Sequence, residues 1–295
     1  MQNIPKFSKY LNRSIIKNKQ IYYKKKNILK YKNEKFKSFL RATKDFDENT
    51  LLYEGGRRIQ NFYRKSNLNK PLITIITVVL NIDKDLEKTI KSVLLQNYNN
   101  IEYIIIDGGS SINTISIIKK YNKFIDYWIS QKDKGIFDAQ NKGIKLATGD
   151  YICFLNAGDY FTKNCMEHIL KKIKNRKKLD IIFGSVKKKK IFSGFSPERI
   201  KSRLNIFPSF VSTFVHIKLF KIYGLFDISL KCFNDYEFIY RILENRKLNW
   251  EITKKNELIT IFDLKGFSSK IKIHQRLLDE FRIRIRYENF ILVFF

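Results

Sequence analysis

Four short segments of this sequence carry acidic or amide side chains in patterns that could do chemistry. They are Asp107-Gly108-Gly109-Ser110, residues 133–143 (DKGIFDAQNKG), Asn156-Ala157-Gly158-Asp159 and Asn234-Asp235-Tyr236-Glu237. Carboxylate and amide oxygens can accept hydrogen bonds from ribose hydroxyls, bind a divalent cation or, as carboxylate, take a proton from a hydroxyl group. Each segment also has a plain structural interpretation, as a polar turn or as the capped start of a helix.

The segment Asp107–Ser110 ends the apolar run of residues 101–106 (IEYIII). Paired glycines let a backbone approach a ligand closely or adopt positive φ angles, and the aspartate could accept from a ribose or a base. The sequence contains neither the G-x-G-x-x-G fingerprint of dinucleotide-binding proteins nor a G-x-x-x-x-G-K-[ST] loop. Dinucleotide and P-loop functions therefore lack their motif.

Helical patterns follow the starts of two segments, residues 133–143 and residues 234–237. A helix that begins near residue 137 is either an ordinary capped helix or one whose free N–H groups, together with Lys142, face a diphosphate. Asp235 opens a segment with helical periodicity, so it is either a capping residue or a general base at the rim of the domain. The remaining candidates are weaker, because His168, His216 and His274 are isolated and no HExxH motif or Cys/His ligand cluster occurs.

The elements that carry these segments alternate between strand and helix patterns. Strands are predicted at the β-branched and apolar runs 72–79, 101–106, 127–129, 151–155 and 181–186, and helices near 112–121, 137–147, 163–175 and 235–243. Such alternation indicates βαβ units and a parallel sheet. Ligands of open parallel sheets bind at the carboxyl ends of the strands. Asn81, Asp107, Asn156 and Asp159 all follow predicted strands, so we expect them at one edge.

The composition favours an anionic binding partner but does not identify which one. The 295 residues carry a formal net charge of +30, and residues 1–70 hold 19 basic and 5 acidic residues. This balance favours an anionic partner such as a nucleic acid, an anionic lipid or a phosphorylated substrate, although an AT-rich genome would produce part of it. The three cysteines have no paired spacing, no secretory signal is visible, and no run of about 18 apolar residues occurs.

Taken in order, the segments resemble a known family. The chain contains LITIITVVLN, SVLLQNYNNIEYIIIDGGS, DYWISQKDKGIFDAQNKGIKLATGDYICFLNAGD and YGLFDISLKCFNDYEFIYRIL. This series resembles bacterial family-2 glycosyltransferases of the GT-A fold, in the branch that builds surface polysaccharides. The resemblance implies an α/β fold with a mostly parallel central sheet flanked by helices, covers about residues 71–161 well, and weakens over about 206–270.

The resemblance also implies roles for particular residues. It assigns donor binding to these residues: Thr77, Asn81, Asp107, Gly108, Asp133, Asp138, Asn141 and Lys142. The metal motif of the family falls on Asn156 and Asp159, and the catalytic base falls on Asp235. With one carboxylate and one amide oxygen, the predicted Mg²⁺ or Mn²⁺ would be held weakly. The stretch Lys265–Ser268 resembles a late Gly-x-Ser loop of the family, whereas Phe207-Pro208 departs from its acceptor side.

The resulting expectation is an inverting glycosyltransferase. We predict a basic, helical extension over residues 1–60, a GT-A domain over 61–275 with a donor half (71–161) and an acceptor half (162–275), and a C-terminal helix or tail over 276–295. Expected partners are a nucleotide-diphospho-sugar, a lipid-linked or saccharide acceptor, and an anionic membrane surface, with a cytoplasmic or peripheral location. Alternatives are a catalytically degenerate sugar-nucleotide-binding protein and a basic nucleic-acid-binding protein, for which no recognition motif occurs.

Overall fold

The computed structural model describes most of the chain beyond residue 50. The described residues are 51–67, 69–82, 84–175, 179–188, 190–192, 210–245, 247–263 and 271–287. The predicted basic helices of residues 1–50, the Phe207-Pro208 departure, the Lys265–Ser268 stretch and the tail 288–295 lie outside them.

Within the described residues, strands and helices alternate as predicted. The strands are β1 (Leu51–Gly55), β2 (Ile73–Val79), β3 (Ile101–Asp107), β4 (Tyr127–Gln131), β5 (Tyr151–Phe154), β6 (Tyr160–Phe161), β7 (Ile181–Phe183), β8 (Ser185–Lys187), β9 (Ile191–Phe192), β10 (Thr213–His216), β11 (Trp250–Ile252) and β12 (Leu258–Ile261). The α-helices are α1 (Lys84–Leu94), α2 (Ile112–Lys120), α3 (Ile136–Leu146), α4 (Cys165–Asn175), α5 (Ile217–Tyr223), α6 (Asn234–Asn245) and α7 (Ile273–Tyr287). Short 3₁₀ turns occupy Arg57–Gln60 and Phe210–Ser212.

Eight strands form the main sheet in the order β1-β4-β3-β2-β5-β10-β7-β11. The central strands β4, β3, β2 and β5 are parallel, whereas β1 and β10 run antiparallel to their neighbours. The predicted α/β fold with a mostly parallel sheet is confirmed. The carboxyl ends of β2, β3, β4 and β5 consequently meet at one edge of the sheet.

The sheet is covered on both faces, which explains its near-continuous apolar strands. One core cluster contains Ile76 and Ile104 from the sheet with Phe226 and Phe238 from the second half of the chain. The other cluster holds alternate residues of the same strands against α1 and α2. Because successive side chains of a strand point to opposite faces, Thr77 shares the second face with Ile75. Its position on β2 thus directs Thr77 into the core.

The edge strand β1 and the 3₁₀ turn after it belong to the sheet domain. β1 pairs with β4, and the buried guanidinium of Arg58 in the 3₁₀ turn donates to Glu102 and to the Leu146 carbonyl (2.7 Å). Burial raises the pKa of the Glu102 carboxyl, but Arg58 and hydrogen bonds from Thr74 and Thr148 outweigh this effect, so its pKa is lowered on balance. The sheet therefore begins about ten residues before the predicted boundary at residue 61.

A second, four-stranded sheet lies beside the end of β5, in the order β6-β12-β8-β9. The predicted single strand over 181–186 is split at Gly184, with β7 in the main sheet and β8 in the small one. β6 immediately follows Asp159, and β12 ends two residues before Asp263. Pairing of β6 with β12 brings these two aspartates together.

Candidate functional site

Asp107 ends β3 at the centre of the carboxyl edge and is fully buried. Its Oδ2 accepts hydrogen bonds from Ser130 Oγ (2.6 Å), Ser110 N (2.9 Å) and Gly109 N (3.1 Å). Its Oδ1 is buried and has no hydrogen-bond partner within the described residues. A buried acceptor without a hydrogen-bond donor lowers the free energy of unfolding, and a donor group from a ligand would remove this cost.

Gly108 allows Asp133, from the loop after β4, to approach the end of β3. A Cβ at position 108 would lie 2.4 Å from Asp133 Oδ2, so the carboxyl group of Asp133 would have to move away. Burial raises the pKa of the Asp133 carboxyl, while its hydrogen bond from Gly135 N (2.9 Å) and the charge of Lys142 act in the opposite direction. The structure therefore brings the predicted residues 107, 108 and 133 into one cluster.

Asp138 and Lys142 lie on the first turns of α3 and hold the loop that carries Asp133. Asp138 Oδ2 accepts from Lys134 N (2.9 Å) and lies 3.6 Å from Lys142 Nζ. Lys142 is buried, and its ammonium donates to the Lys132 carbonyl (3.1 Å). These contacts make Asp138 and Lys142 supports of the loop in this structure.

The amide of Asn141 holds a backbone segment that leads toward α6. Its Nδ2 donates to the Phe226 carbonyl (2.9 Å), and its Oδ1 accepts from Phe226 N (3.0 Å). Farther along the same loop, Asn234 Nδ2 donates to the Asp227 carbonyl. Asn141 thus connects the predicted donor helix with the loop before Asp235.

Thr77 and Asn81, the two predicted donor residues on and after β2, make structural contacts. Thr77 Oγ1 lies 3.1 Å from the Tyr103 hydroxyl inside the core. Asn81 has a positive φ of 51°, and its Oδ1 accepts from Ser111 N (2.9 Å). Asn81 therefore ties the loop after β2 to the loop after β3, and it is exposed at that edge.

The predicted metal motif follows β5. Asn156 Oδ1 lies 3.4 Å from Gln140 Nε2, and Asp159 Oδ1 accepts from Asp263 N (2.8 Å). Gly158 has a φ of 105°, and a Cβ there would lie 3.1 Å from Asp263 Oδ2. Asp263, which no sequence motif indicates, therefore places a second carboxyl group at this turn. Its position directly after a buried strand run, Leu258–Ile261, was the available signal.

The electrostatics of this turn suit a cation. Burial, together with the charge of Asp263, raises the pKa of Asp159 to about 7, and the hydrogen bond from Asp263 N and the charge of Lys188 oppose the rise. Among the described residues no group of three or more His, Cys, Asp or Glu side chains could hold a metal by itself. Asp159, Asp263 and the amide of Asn156 could instead supply part of an oxygen ligand set, with a diphosphate supplying the rest.

Asp235 lies in the first turn of α6, directly after two buried or strained residues. Phe233 adopts a positive φ of 62°, and Asn234 is fully buried. Asp235 itself is partly exposed, and its Oδ1 accepts from Tyr236 N (2.9 Å). Burial raises the pKa of its carboxyl to about 6, and Lys188 opposes the rise.

Lys188, which follows β8, acts on both candidate site carboxyls. Its charge lowers the pKa of Asp159 and of Asp235, and its ammonium lies 4.9 Å from the centre of the Phe262 ring. From the sequence alone, the run Lys187–Lys190 is expected to be a solvated loop or a lipid-phosphate contact. The structure instead places Lys188 within electrostatic reach of the predicted metal residue and the predicted base.

Helix α7 fixes the loop before Asp235 from the other side. Asp279 is fully buried, and its Oδ2 accepts from Lys231 N (2.7 Å) and Cys232 N (3.1 Å). One turn into α6, the buried carboxylate of Glu237 accepts from the Tyr287 hydroxyl. Asp279, which belongs to no sequence motif, and Glu237, from the same segment as Asp235, therefore position the candidate base.

Comparison with known proteins agrees with this arrangement. The profile described as Glycosyl transferase family 2 matches residues 74–232, which is more than half of the chain. This chain belongs to glycosyl transferase family 2. The matched range includes the predicted donor and metal residues and ends just before Asp235.

Relatives of this chain are also named glycosyltransferases. An uncharacterized glycosyltransferase of Rickettsia conorii is 35% identical over 181 residues, or 59% of this chain and 29% of that protein. One of Rickettsia typhi is 32% identical over 197 residues, or 61% of each protein. This family 2 chain thus spans less than two thirds of these relatives.

Two solved structures share the GT-A fold with this family 2 chain. TarS of S. aureus, in complex with UDP-GlcNAc, has a TM-score of 0.57 at 16% identity, covering 72% of this chain and 66% of that one. The mannosyltransferase PcManGT of Pyrobaculum calidifontis, in complex with GDP-Man and Mn²⁺, has a TM-score of 0.58 at 16% identity, covering 75% and 66%. At this identity the likeness establishes the fold and leaves the substrate open.

Proposed function

We propose that this family 2 glycosyltransferase moves a sugar from a nucleotide-diphospho-sugar to an acceptor hydroxyl with inversion at the anomeric carbon. The observation that carries the proposal is the grouping of carboxyls at the carboxyl edge: Asp133 approaches the end of β3 across Gly108, and Asp159 Oδ1 accepts from Asp263 N (2.8 Å) after β5. The pKa values of Asp159 and Asp235 are both raised, and the charge of Lys188 opposes both rises. A cation site and a base near one lysine suit a reaction in which a diphosphate leaves as a hydroxyl is deprotonated.

The donor occupies the carboxyl edge of β2, β3 and β4 in this proposal. The Oδ1 of Asp107, which has no hydrogen-bond partner among the described residues, accepts from the nucleoside, and Asp133 lies beside it across Gly108. Asn81 borders the same edge beside Ser111. Thr77, Asp138, Asn141 and Lys142 support these groups from the core and from α3, as their present contacts indicate.

Asp235 acts as the general base. Its carboxylate takes the proton from the acceptor hydroxyl, whose oxygen forms the new bond to the anomeric carbon as the bond to the diphosphate oxygen breaks. The nucleoside diphosphate leaves from the opposite face of the sugar. Lys188 supplies positive charge toward the leaving group.

Asp159, Asp263 and Asn156 would hold Mg²⁺ or Mn²⁺ at the diphosphate. The metal, when bound, would supply charge that stabilises the departing diphosphate. The carboxyl of Asp159 must lose its proton to serve as a ligand, and burial beside Asp263 opposes that loss in the free protein. We therefore expect weak binding of metal alone and stronger binding together with a nucleoside diphosphate.

The acceptor in this proposal is a lipid-linked sugar used to build a cell-surface polysaccharide, met at the cytoplasmic face of the membrane. The support is the excess of basic residues, most concentrated in residues 1–70, which would attract an anionic surface. Among the helices of the described residues, none has both the length and the apolar composition that crossing a bilayer requires.

A donor panel tests the proposal. The full chain is incubated with UDP-, GDP- and dTDP-sugars and Mn²⁺, and nucleoside diphosphate release and thermal stabilisation are both recorded. One donor should stabilise the protein and release its nucleoside diphosphate faster when a lipid extract is added. Stabilisation without release under every condition would support the catalytically degenerate alternative, which the amide at Asn156 favours. Neither effect with any donor would overturn the proposed function.

A further inference from the structure

Helix α7 has a packed face and an opposite face that is apolar yet exposed. On the packed side, Asp279 and Ile283 are 0% and 1% exposed. The opposite side carries five large apolar residues, which are Ile273 (68% exposed), Leu277 (60%), Leu278 (43%), Phe281 (40%) and Ile285 (42%). At 3.6 residues per turn these five occupy one arc of about 140°, centred opposite the packed face. We call them the α7 apolar face.

Cationic side chains border the α7 apolar face on both sides. On the helical wheel Arg284 and His274 lie within the arc, Arg284 about 20° from one margin, and Arg282 lies beyond the other margin. Both acids of the segment contact these arginines: Asp279 Oδ1 lies 3.5 Å from Arg282 Nη1, and Glu280 Oε1 lies 2.8 Å from Arg284 Nη2. Residues 272–287 carry five Lys and Arg against two acidic residues, so the segment keeps an excess of positive charge after this pairing.

We propose that the α7 apolar face inserts into the interfacial region of an anionic phospholipid bilayer. A helix with an apolar arc and a cationic border is the pattern of helices that lie in a membrane plane, because the arc enters the acyl boundary while the arginines meet lipid phosphates. A second copy of this chain is the less suitable occupant, since a two-fold contact would place two copies of the same net positive segment against each other. Charge complementarity therefore selects the lipid.

Membrane binding through the α7 apolar face extends the proposed function, and its role in sugar transfer rests on that function. The packed face of α7 contacts the loop and helix that carry the candidate base, through Asp279 with Cys232 N (3.1 Å) and Arg286 with Asp227 (2.9 Å). A helix with side chains is about 10–12 Å across, so the bilayer would lie about one helix diameter from the start of α6. A lipid-linked acceptor would then reach Asp235 without leaving the membrane surface.

Vesicle binding of the full chain tests the proposal without any measurement of sugar transfer. The variant Ile273→Ser/Leu277→Ser should bind vesicles containing phosphatidylglycerol about tenfold more weakly than the wild type, because two large side chains no longer enter the interface. Ile112→Ser/Ile222→Ser is the matched control, since these residues on α2 and α5 are 61% and 63% exposed. The control should bind as the wild type does. Equal binding by both double variants would overturn the proposal.

Two further experiments test the charge dependence of vesicle binding and the self-association of the chain. Arg282→Gln/Arg284→Gln should weaken binding to phosphatidylglycerol vesicles and leave the low binding to pure phosphatidylcholine unchanged, whereas Lys171→Gln/Lys174→Gln on α4 should change neither. Sedimentation equilibrium without lipid should give the same mass for the wild type and Ile273→Ser/Leu277→Ser. A mass that falls in the variant while vesicle binding persists would assign the α7 apolar face to a second copy. Vesicle binding without donor turnover would instead contradict the proposed function alone.

Discussion

The side-chain amide of Asn141 holds the peptide backbone of Phe226 at both ends, donating to its carbonyl at 2.9 Å and accepting from its N–H at 3.0 Å. These residues are 85 positions apart, and both atoms of the pair are buried. The contact fixes helix α3, next to the donor loop, relative to the loop that ends at Asp235. The spacing between the donor side and the base side of the candidate site is therefore set in part by this amide, together with the ring contact of Phe137 with Phe226.

Replacement of Asn141 should consequently destabilise the protein. Asn141→Ala leaves the N–H and carbonyl of Phe226 buried without partners, and each such group costs roughly 1–3 kcal/mol. We expect urea unfolding to give a free energy of unfolding about 3 kcal/mol below that of the wild type. Asn141→Asp keeps the acceptor but places a buried carboxylate oxygen against the Phe226 carbonyl, so it should lose at least as much. The exposed Asn245→Ala is the control and should change stability by less than about 0.5 kcal/mol. A wild-type stability combined with lost donor binding would mean that Asn141 contacts the donor instead.

The pH dependence of transfer should report the carboxyl of Asp235. A general base works in its ionised form, and the pKa of this group is raised to about 6 by burial. The value of kcat/KM, which reports groups of the free enzyme, should therefore rise with pH through about 6 and level off above it. A rate that falls over this range would contradict the assignment of a base.

Substitution of the base separates chemistry from binding. Asp235→Asn should lower kcat by about 10² to 10⁴ while donor affinity stays within a factor of about three. Glu244→Gln, at the far end of the same helix, should leave both unchanged. A kcat near that of the wild type in Asp235→Asn would remove this residue from the mechanism.

Asp159 should couple metal binding to stability. Its folded-state pKa of about 7 lies above the value of an unfolded aspartate, so the folded protein holds this proton more tightly and loses stability as pH rises from about 4 to 7. Without metal at about pH 8, Asp159→Asn should therefore be more stable than the wild type, by about 2–4 kcal/mol. The same variant should lose the thermal stabilisation that Mn²⁺ gives together with a nucleoside diphosphate.

The exposed Asp85→Asn on α1 is the control for both measurements with Asp159 and should behave as the wild type. Asp263→Asn should weaken the metal effect and lower the pKa of Asp159, because a neighbouring negative charge is removed. A Mn²⁺ effect that survives Asp159→Asn would place the metal elsewhere.

Lys188 should influence both the rate and its pH dependence. Lys188→Gln removes a charge that lowers the pKa of Asp235, so the rise of the rate should move to higher pH. Loss of positive charge at the leaving group should also lower kcat by about tenfold. Lys187→Gln, one residue earlier and also exposed, is the matched control. Identical pH profiles for the two variants would mean that Lys188 does not reach the site in solution.

The donor half of the fold follows from local sequence, for a physical reason. Parallel strands buried on both faces must be runs of β-branched and apolar residues, and residues 73–79 and 101–107 are such runs. The polar residue after each run must then lie at the carboxyl edge of the sheet. The strand pattern alone therefore places Asn81, Asp107, Asn156 and Asp159 at this edge.

The sequence could not show where β1 and Asp263 lie, because these depend on contacts between distant parts of the chain. Leu51–Gly55 lies in a basic stretch and becomes a strand only because β4 offers an open edge. Asp263 reaches Asp159 through the pairing of β12 with β6, which joins residues about 100 positions apart. Local periodicity carries no signal for such pairings.

The roles of individual polar residues likewise depend partly on local sequence and partly on tertiary contacts. The sequence by itself determined which residue types stand at the strand ends and at the start of α6, because strand period and helix period are local properties. Only the tertiary structure decided that the amide of Asn141 and the ammonium of Lys142 are occupied by the protein's own backbone, and that Lys188 acts on Asp159 and Asp235 together. A side chain can bind a substrate only through hydrogen-bond donors and acceptors that the protein does not already use. Which of them remain unused depends on neighbours that are distant in sequence.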